Sequence, residues 1–191
     1  IKHLKYLKNY ELFNSIKNEI NLKKLFNFQL KIPHQSLNKK YIYYPLHLIP
    51  ETTTLLKGND FMDQVYLIEL LSKNLPIGYK LYVKEHPSMF TSHPRKQIFF
   101  ERLKKLPNLR FLSIDMNGLD IIKKASAVII VDGSAGVEAL FLRKPVLTMK
   151  KFDYDFLNLS ITNISLENIH KDILRTINKN RNISKDFFRK Q

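Results

Sequence analysis

One stretch of this chain has the composition of an anion-binding turn: Asp132-Gly133-Ser134-Ala135-Gly136-Val137-Glu138-Ala139-Leu140. The apolar run Ala127–Val131 precedes it and helix-forming residues follow, so it reads as a buried strand entering a glycine-containing turn at the start of a helix. Free backbone N–H groups and the helix dipole at such a start favour an anion, usually phosphate. Gly133 and Gly136 let a ligand come close to the backbone, Ala135 lies among the exposed amides, and Ser134 adds a hydroxyl. The plainer reading is that Ser134 only caps the helix. A capping box would place Glu or Gln at Val137, whereas the carboxylate is at Glu138, about one turn above Ser134, where it can take a pair of sugar hydroxyls. The pattern is neither the dinucleotide G-x-G-x-x-G fingerprint nor a P-loop.

A second group is Lys84-Glu85-His86-Pro87, which follows an apolar strand pattern. Pro87 keeps His86 extended, just past a strand end. An imidazole there binds phosphate as a cation or protonates a leaving phosphate oxygen, and Lys84 adds charge. A structural histidine is the competing reading. The third group is the segment Pro45–Thr54, with His47, Glu51 and three threonines; Glu51 is a candidate base or a group that orients a sugar. His93-Pro94 lies farther from a strand end and reads as loop. Asp153-Tyr154-Asp155 has a metal-holding D-x-D spacing, but a solvated loop is the better reading, and no metal is expected. Asn158, Asn163 and Asn182 match glycosylation acceptors without a secretion signal beside them.

The elements that must position these groups alternate. Strands are expected at Tyr41–Pro45, Tyr79–Val83, Leu109–Ser113, Ala127–Val131 and Pro145–Met149. Helices are expected at Phe61–Lys73, Arg95–Leu106, Gly118–Ala125, Ala135–Leu142 and Leu166–Asn178. Repeated strand–helix units imply an α/β fold, a Rossmann-like parallel sheet flanked by helices on both sides. Ligands of such sheets bind at the carboxyl ends of the strands, where all three groups fall. Residues 1–40 differ: Leu4, Leu7, Phe13, Ile16 and Ile20, then Leu22, Leu25 and Phe26, have helical spacing, and Pro33 ends the pattern. The division is therefore an N-terminal helical segment and linker, 1–40, and a Rossmann-like domain, 41–191.

The composition narrows the function classes. The chain has 191 residues, no cysteine and no apolar run of bilayer-spanning length. Disulfide scaffolds, thiol catalysis and cysteine-held zinc are excluded. It begins at Ile1 and reads as part of a longer protein. Its 32 basic and 17 acidic residues give a net charge of +15, spread without a run of five or six cations. Dispersed Lys beside abundant Asn and Ile fits an AT-rich coding sequence better than a nucleic-acid surface. No nucleic-acid partner is expected, and weak attraction to an anionic membrane is favoured over it.

Taken in order, Tyr41–Leu46, Pro50-Glu51, Gly58, Asp63-Gln64, Lys84-Glu85-His86-Pro87, and Gly133 to Leu140 with Lys144-Pro145 resemble bacterial capsule polysaccharide biosynthesis proteins, a group that includes Kdo transferases. The resemblance covers about residues 41–160. It implies one half of a GT-B glycosyltransferase fold, the C-terminal donor-binding half, in an enzyme that needs no metal or cofactor. The implied partners are a CMP- or UDP-linked sugar, a saccharide or lipid-linked acceptor, and an N-terminal domain of the same protein that holds the acceptor. The implied location is cytoplasmic, peripheral at the inner face of the cell membrane. By this analogy His86, Ser134 and the amides after Gly133 hold the donor phosphate, and Glu138 holds the ribose or base side. Two features depart from the pattern: Asp132 stands where a neutral residue is expected, and Lys150–Tyr154 replaces a glycine-containing loop. Asp132-Gly133-Ser134 also resembles the turn of CDP-glycerol-type polyol-phosphate transferases, the alternative enzyme reading. A basic non-catalytic module is the alternative outside enzymes.

Overall fold

The computed structural model describes residues 19–20, 32–48, 63–90, 95–131, 133–149, 159–162 and 166–189. Within these, six strands form one sheet: β1 (Tyr41–Pro45), β2 (Lys80–Lys84), β3 (Leu109–Leu112), β4 (Ala127–Ile130), β5 (Val146–Thr148) and β6 (Ser160–Thr162). Their order is β3-β2-β1-β4-β5-β6, and every neighbouring pair is parallel. The α-helices are α1 (Gln64–Lys73), α2 (Gln97–Leu103), α3 (Gly118–Lys124), α4 (Ser134–Phe141) and α5 (Ile169–Arg189), with short 3₁₀ turns at Pro87–Phe90 and Leu166–Asn168. This is the expected Rossmann-like parallel α/β fold. The sheet reverses its winding between β1 and β4, which opens a crevice at their carboxyl ends.

Strand alternation sorts the core into two layers. Ile42, Tyr44, Leu81, Val83, Phe111 and Ile129 face α1, α2 and α5, where Ile68, Leu71, Phe100 and Ile173 meet them. Tyr41, Tyr43, Tyr82, Leu112, Val128 and Ile130 face α3 and α4, against Ile121, Ile122, Ala139 and Leu140. The Tyr41 and Tyr82 rings stack at 4.3 Å between neighbouring strands. The Tyr41 hydroxyl, beneath α3, donates to the Ile121 carbonyl at 2.6 Å.

Several boundaries differ from the sequence reading, each for a local reason. Helix α1 starts at Gln64 because Asp63 is its N-cap: Oδ1 accepts from the Val65 and Tyr66 amides at 2.9 and 3.0 Å. Helix α2 spans Gln97–Leu103, leaving out Arg95, whose side chain bonds elsewhere. Helix α4 starts one residue early, at Ser134, with Gly133 rather than Ser134 as N-cap. Strand β6 was not anticipated, and α5 runs past Asn178 to Arg189. The linker residues from Ile32 onward cross the β3 side of the sheet. Ile32 joins the α1/α2 layer and Leu37 packs on the other, while the Ser36 carbonyl accepts from the Tyr82 hydroxyl at 3.0 Å. The apolar pattern of residues 1–18 and 21–31 lies outside the described residues.

Candidate functional site

The crevice between β1 and β4 is bounded on one side by the turn into α4. Gly133 has φ 115° and ψ 172°, a conformation open almost only to glycine. It turns the chain from buried Val131, just past β4, so that α4 begins beyond the carboxyl end of that strand. Ser134 and Gly133 are exposed, and a glycine N-cap has no side chain to bond the first amides of the helix. Gly136 is one place where the structure corrects the sequence reading. It is buried, and its N–H already donates to the Gly133 carbonyl at 3.3 Å. Among the described residues, the amides left for an anion are therefore those of Ser134 and Ala135.

Lys84 ends β2, on the sheet face that carries Tyr82 and beside Pro45 of β1. It is only 8% exposed, and its ammonium makes no hydrogen bond or ion pair among the described residues. Burial lowers its pKa, against the pull of Asp115 and Glu85. A buried cation without a bonded counter-ion is expensive. Its placement at a strand end suits an anion that arrives from outside.

His86 is exposed. Its Nδ1 accepts from the Ser88 amide at 3.2 Å, an arrangement that Pro87 and the 3₁₀ turn set up. That bond selects the tautomer with hydrogen on Nε2. The ring is thus arranged to donate from Nε2 as a neutral group, because adding a proton at Nδ1 would set it against an N–H. Glu138 is half-buried on α4. Burial raises the Tyr43 phenol pKa, and the nearby Glu138 charge adds to that rise.

Beneath these groups lies a buried network on the other sheet face, and sequence reasoning missed its wiring. Glu85 is 4% exposed. Its Oε2 accepts from Arg95 Nε at 2.8 Å, and its Oε1 accepts from the His86 amide at 2.8 Å. Burial raises the Glu85 pKa, while Arg95, the His86 amide and Lys84 pull it down. Arg95 Nη2 donates to the His47 carbonyl and to Gln64 Oε1, the latter at 3.4 Å. Gln64 brackets the His47 backbone: Nε2 donates to its carbonyl and Oε1 accepts from its amide, both at 3.2 Å. His47 Nε2 in turn accepts from the Val131 amide at 3.1 Å. The available signal was Glu85, a carboxylate directly after a buried strand, which demands a cationic partner.

At the end of β3, Asp115 pairs with His34 Nε2 at 3.0 Å and accepts from the Ser113 hydroxyl. The serine bonds the carboxylate rather than the histidine, so this is not a nucleophile–base pair. Hydrogen bonds from Ser113 and His34 hold the Asp115 pKa down. Glu51, Asp132, His93-Pro94 and Asp153-Tyr154-Asp155 lie outside the described residues. Among the described residues, no group of three or more His, Asp or Glu is placed to hold a metal ion, and no helix is long and apolar enough to cross a membrane. A cavity of about 410 Å³ lies by the β3 edge strand, lined by Ile32, Lys104, Leu109 and Phe111 among others, away from the crevice.

A family model described as capsule polysaccharide biosynthesis protein matches residues 11–185. No curated protein matches the chain. Among solved structures, the beta Kdo 2,4 transferase of Thermosulfurimonas dismutans KpsC is 18% identical with a TM-score of 0.53, covering 85% of this chain and 53% of its own. The UDP-GlcNAc 2-epimerase of Methanocaldococcus jannaschii, in complex with UDP-GlcNAc and UDP, is 14% identical with a TM-score of 0.51, covering 90% and 51%. The S. aureus MnaA–UDP structure is 13% identical with a TM-score of 0.51, covering 82% and 43%. At these identities the likeness is one of fold, and the chain spans about half the length of the structures it matches.

Proposed function

Because the chain belongs to the capsule polysaccharide biosynthesis protein family, we propose that it is the donor-binding half of a glycosyltransferase that moves a sugar from a nucleotide-activated donor onto a saccharide or lipid-linked acceptor. The observation that carries this reading is the Gly133 turn. It places the Ser134 and Ala135 amides, unbonded among the described residues, and the Ser134 hydroxyl at the carboxyl-end crevice, with the Lys84 ammonium, which has no bonded partner among the described residues, two strands away across β1. The donor phosphate sits against the Ser134 and Ala135 amides, with Lys84 and the Nε2–H of His86 completing the cradle. Glu138 takes hydroxyls of the ribose. As the bond to the sugar breaks, negative charge grows on the leaving phosphate oxygen. Fixed dipoles and a cation held in place stabilise that charge without reorganising. His86, neutral with its hydrogen on Nε2, is placed to give that oxygen a hydrogen bond that strengthens as its charge grows. In this reading the protein's own cations and amides do the work that a metal does elsewhere. The UDP in the Methanocaldococcus jannaschii epimerase and S. aureus MnaA structures above supports a nucleoside diphosphate as ligand.

The donor is CMP- or UDP-linked, and the acceptor and any catalytic base belong to a facing domain, with Glu51 the candidate on this side. The enzyme works in the cytoplasm, at the inner membrane face. Calorimetric titration of CMP, CDP, UDP and GDP into the chain tests the reading. Saturable binding of one nucleotide, weakened at least tenfold by Lys84→Ala, is expected, a difference of about 1.4 kcal/mol. Equal affinity in wild type and variant, or no binding even in the full-length protein, overturns it. Turnover of CDP-glycerol with none of a nucleotide sugar by the full-length protein selects the polyol-phosphate alternative.

A further inference from the structure

The network under the site joins both halves of the proposed cradle through one side chain. The His47 ring stands at the end of β1, 5.8 Å from the Tyr44 ring in an edge-on arrangement. Its Nε2 accepts from the amide of Val131, two residues before the Gly133 turn. Its backbone is clamped by Gln64 and Arg95, and Arg95 is bonded to Glu85, the neighbour of His86. A strand that has just left the sheet has no ladder partner for its next amide. Here a side chain from the adjacent strand supplies the missing acceptor.

We propose that His47 is a positioning residue: as a neutral acceptor it fixes the end of β4 and the glycine turn that follows, and its protonation releases that turn, so that anion binding at the crevice is lost on acidification. The proposal rests on the function given above, but its geometric part does not.

The sign follows from the hydrogen bond. A proton on Nε2 replaces an acceptor with a donor facing the Val131 N–H, so the contact exists only in the neutral ring. Among the described residues, charged and titratable groups reach His47 from several elements. The Arg95 guanidinium, before α2, touches the His47 carbonyl, Glu85 after β2 neutralises that guanidinium, and the Tyr44 phenol of β1 presents its ring. Gln64 of α1 contributes no charge. The Val131 bond favours the neutral ring.

Two variants separate the acceptor from the ring. Gln at this position carries an oxygen near the place of Nε2 and does not titrate; Phe keeps the planar bulk and has no acceptor. The first readout is the hydrogen-exchange protection factor of the Val131 amide, corrected for intrinsic rate, from about pH 8 to about pH 5. The second is the affinity for UDP and for CMP over the same range. Nucleotide affinity answers to every group of the cradle, so the Val131 amide is the deciding readout. Wild type should lose Val131 protection and at least tenfold in nucleotide affinity as the pH falls. His47→Gln should keep the protection throughout, and His47→Phe should lack it at every pH.

Unchanged Val131 protection in His47→Phe overturns the proposal. So does a His47→Gln variant as unprotected as the Phe variant, since the acceptor would then not be what matters. Should His47→Phe fail to fold, the wild-type pH profile and His47→Gln decide alone. If Val131 protection follows His47 as stated but neither nucleotide binds wild type, the positioning role of the residue stands and the transferase reading falls.

Discussion

Lys84 and Gly133 both hold conformations or charges that the fold alone would not select. Lys84 carries a lowered pKa because burial disfavours its charged form. A lysine depressed in the native state weighs against stability while it is protonated, and that cost fades as the pH rises through its folded value toward the ordinary lysine range. Lys84→Met should therefore raise resistance to denaturant near neutral pH, with the advantage over wild type shrinking at alkaline pH. The same variant should lose nucleotide affinity, and wild-type affinity should itself decline across that alkaline window as the ammonium is lost. Paired denaturant and binding titrations against pH check both trends; a variant less stable than wild type at neutral pH would show Lys84 to be a structural cation. At Gly133 the argument is steric in the opposite sense. A Cβ there would meet no atom within 4 Å, so Gly133→Ala costs backbone strain and not a clash. About 1–3 kcal/mol of lost stability is expected from the positive φ alone. Chemical denaturation measures it, and nucleotide affinity should fall with it because the turn re-aims the Ser134 amide.

The elements show why part of this architecture was readable in the sequence and part was not. Strand β4 is a run of apolar residues covered on both faces, and helices α1 and α3 announce themselves by Asp63 and Asn117, whose side chains cap them. The fold class and the glycine turn follow from such local signals. Strand β6 was invisible because Ser160, Ile161 and Thr162 are few and half-buried, and only pairing with β5 makes them a strand. Arg95 was unreadable for another reason: it looks like the first residue of a helix, and only the tertiary fold brings it to a carboxylate ten positions back. Gly136 was read as a ligand contact because sequence shows a glycine's freedom but not which side of the helix it faces. The Arg95–Glu85 pair makes a prediction at this scale, since it ties the start of α2 to the end of β2. Its side chains are 7% and 3% exposed. Arg95→Met leaves Glu85 buried without its paired guanidinium, at a cost of about 3–5 kcal/mol. Glu85 already has a raised pKa from burial. An acid raised in the folded state binds its proton more readily there than when unfolded, so the deficit of Arg95→Met should shrink as the pH falls through that raised value. Unfolding curves of both proteins across the acid range test this, and adding Glu85→Gln to Arg95→Met should recover much of the loss.

On the scale of the whole molecule the question is what a charge of +15 is for. If the dispersed lysines were the binding surface, a polyanion would be the ligand. Each neutralised phosphate would then release a condensed counterion, and affinity would fall by about 10³–10⁵ between 50 and 200 mM salt for a contact of six to ten phosphates. A site built from the Gly133 turn, Lys84 and His86 predicts something else. One or two phosphates meet one buried cation and fixed amides, and a partly buried pair is screened far less than an exposed one. Over the same salt range, nucleotide affinity should change only a few-fold. Binding to duplex DNA, wherever it can be detected, should vanish. The two behaviours are separable in a single salt series with a mononucleotide and a short duplex. A steep loss for both would place the ligand on the general surface and dissolve the case for the crevice. A flat response for the nucleotide beside a steep one for DNA locates recognition at the strand ends. The remaining charge is then free for a weaker task, such as holding the protein near an anionic membrane, where a lipid-linked acceptor would be met.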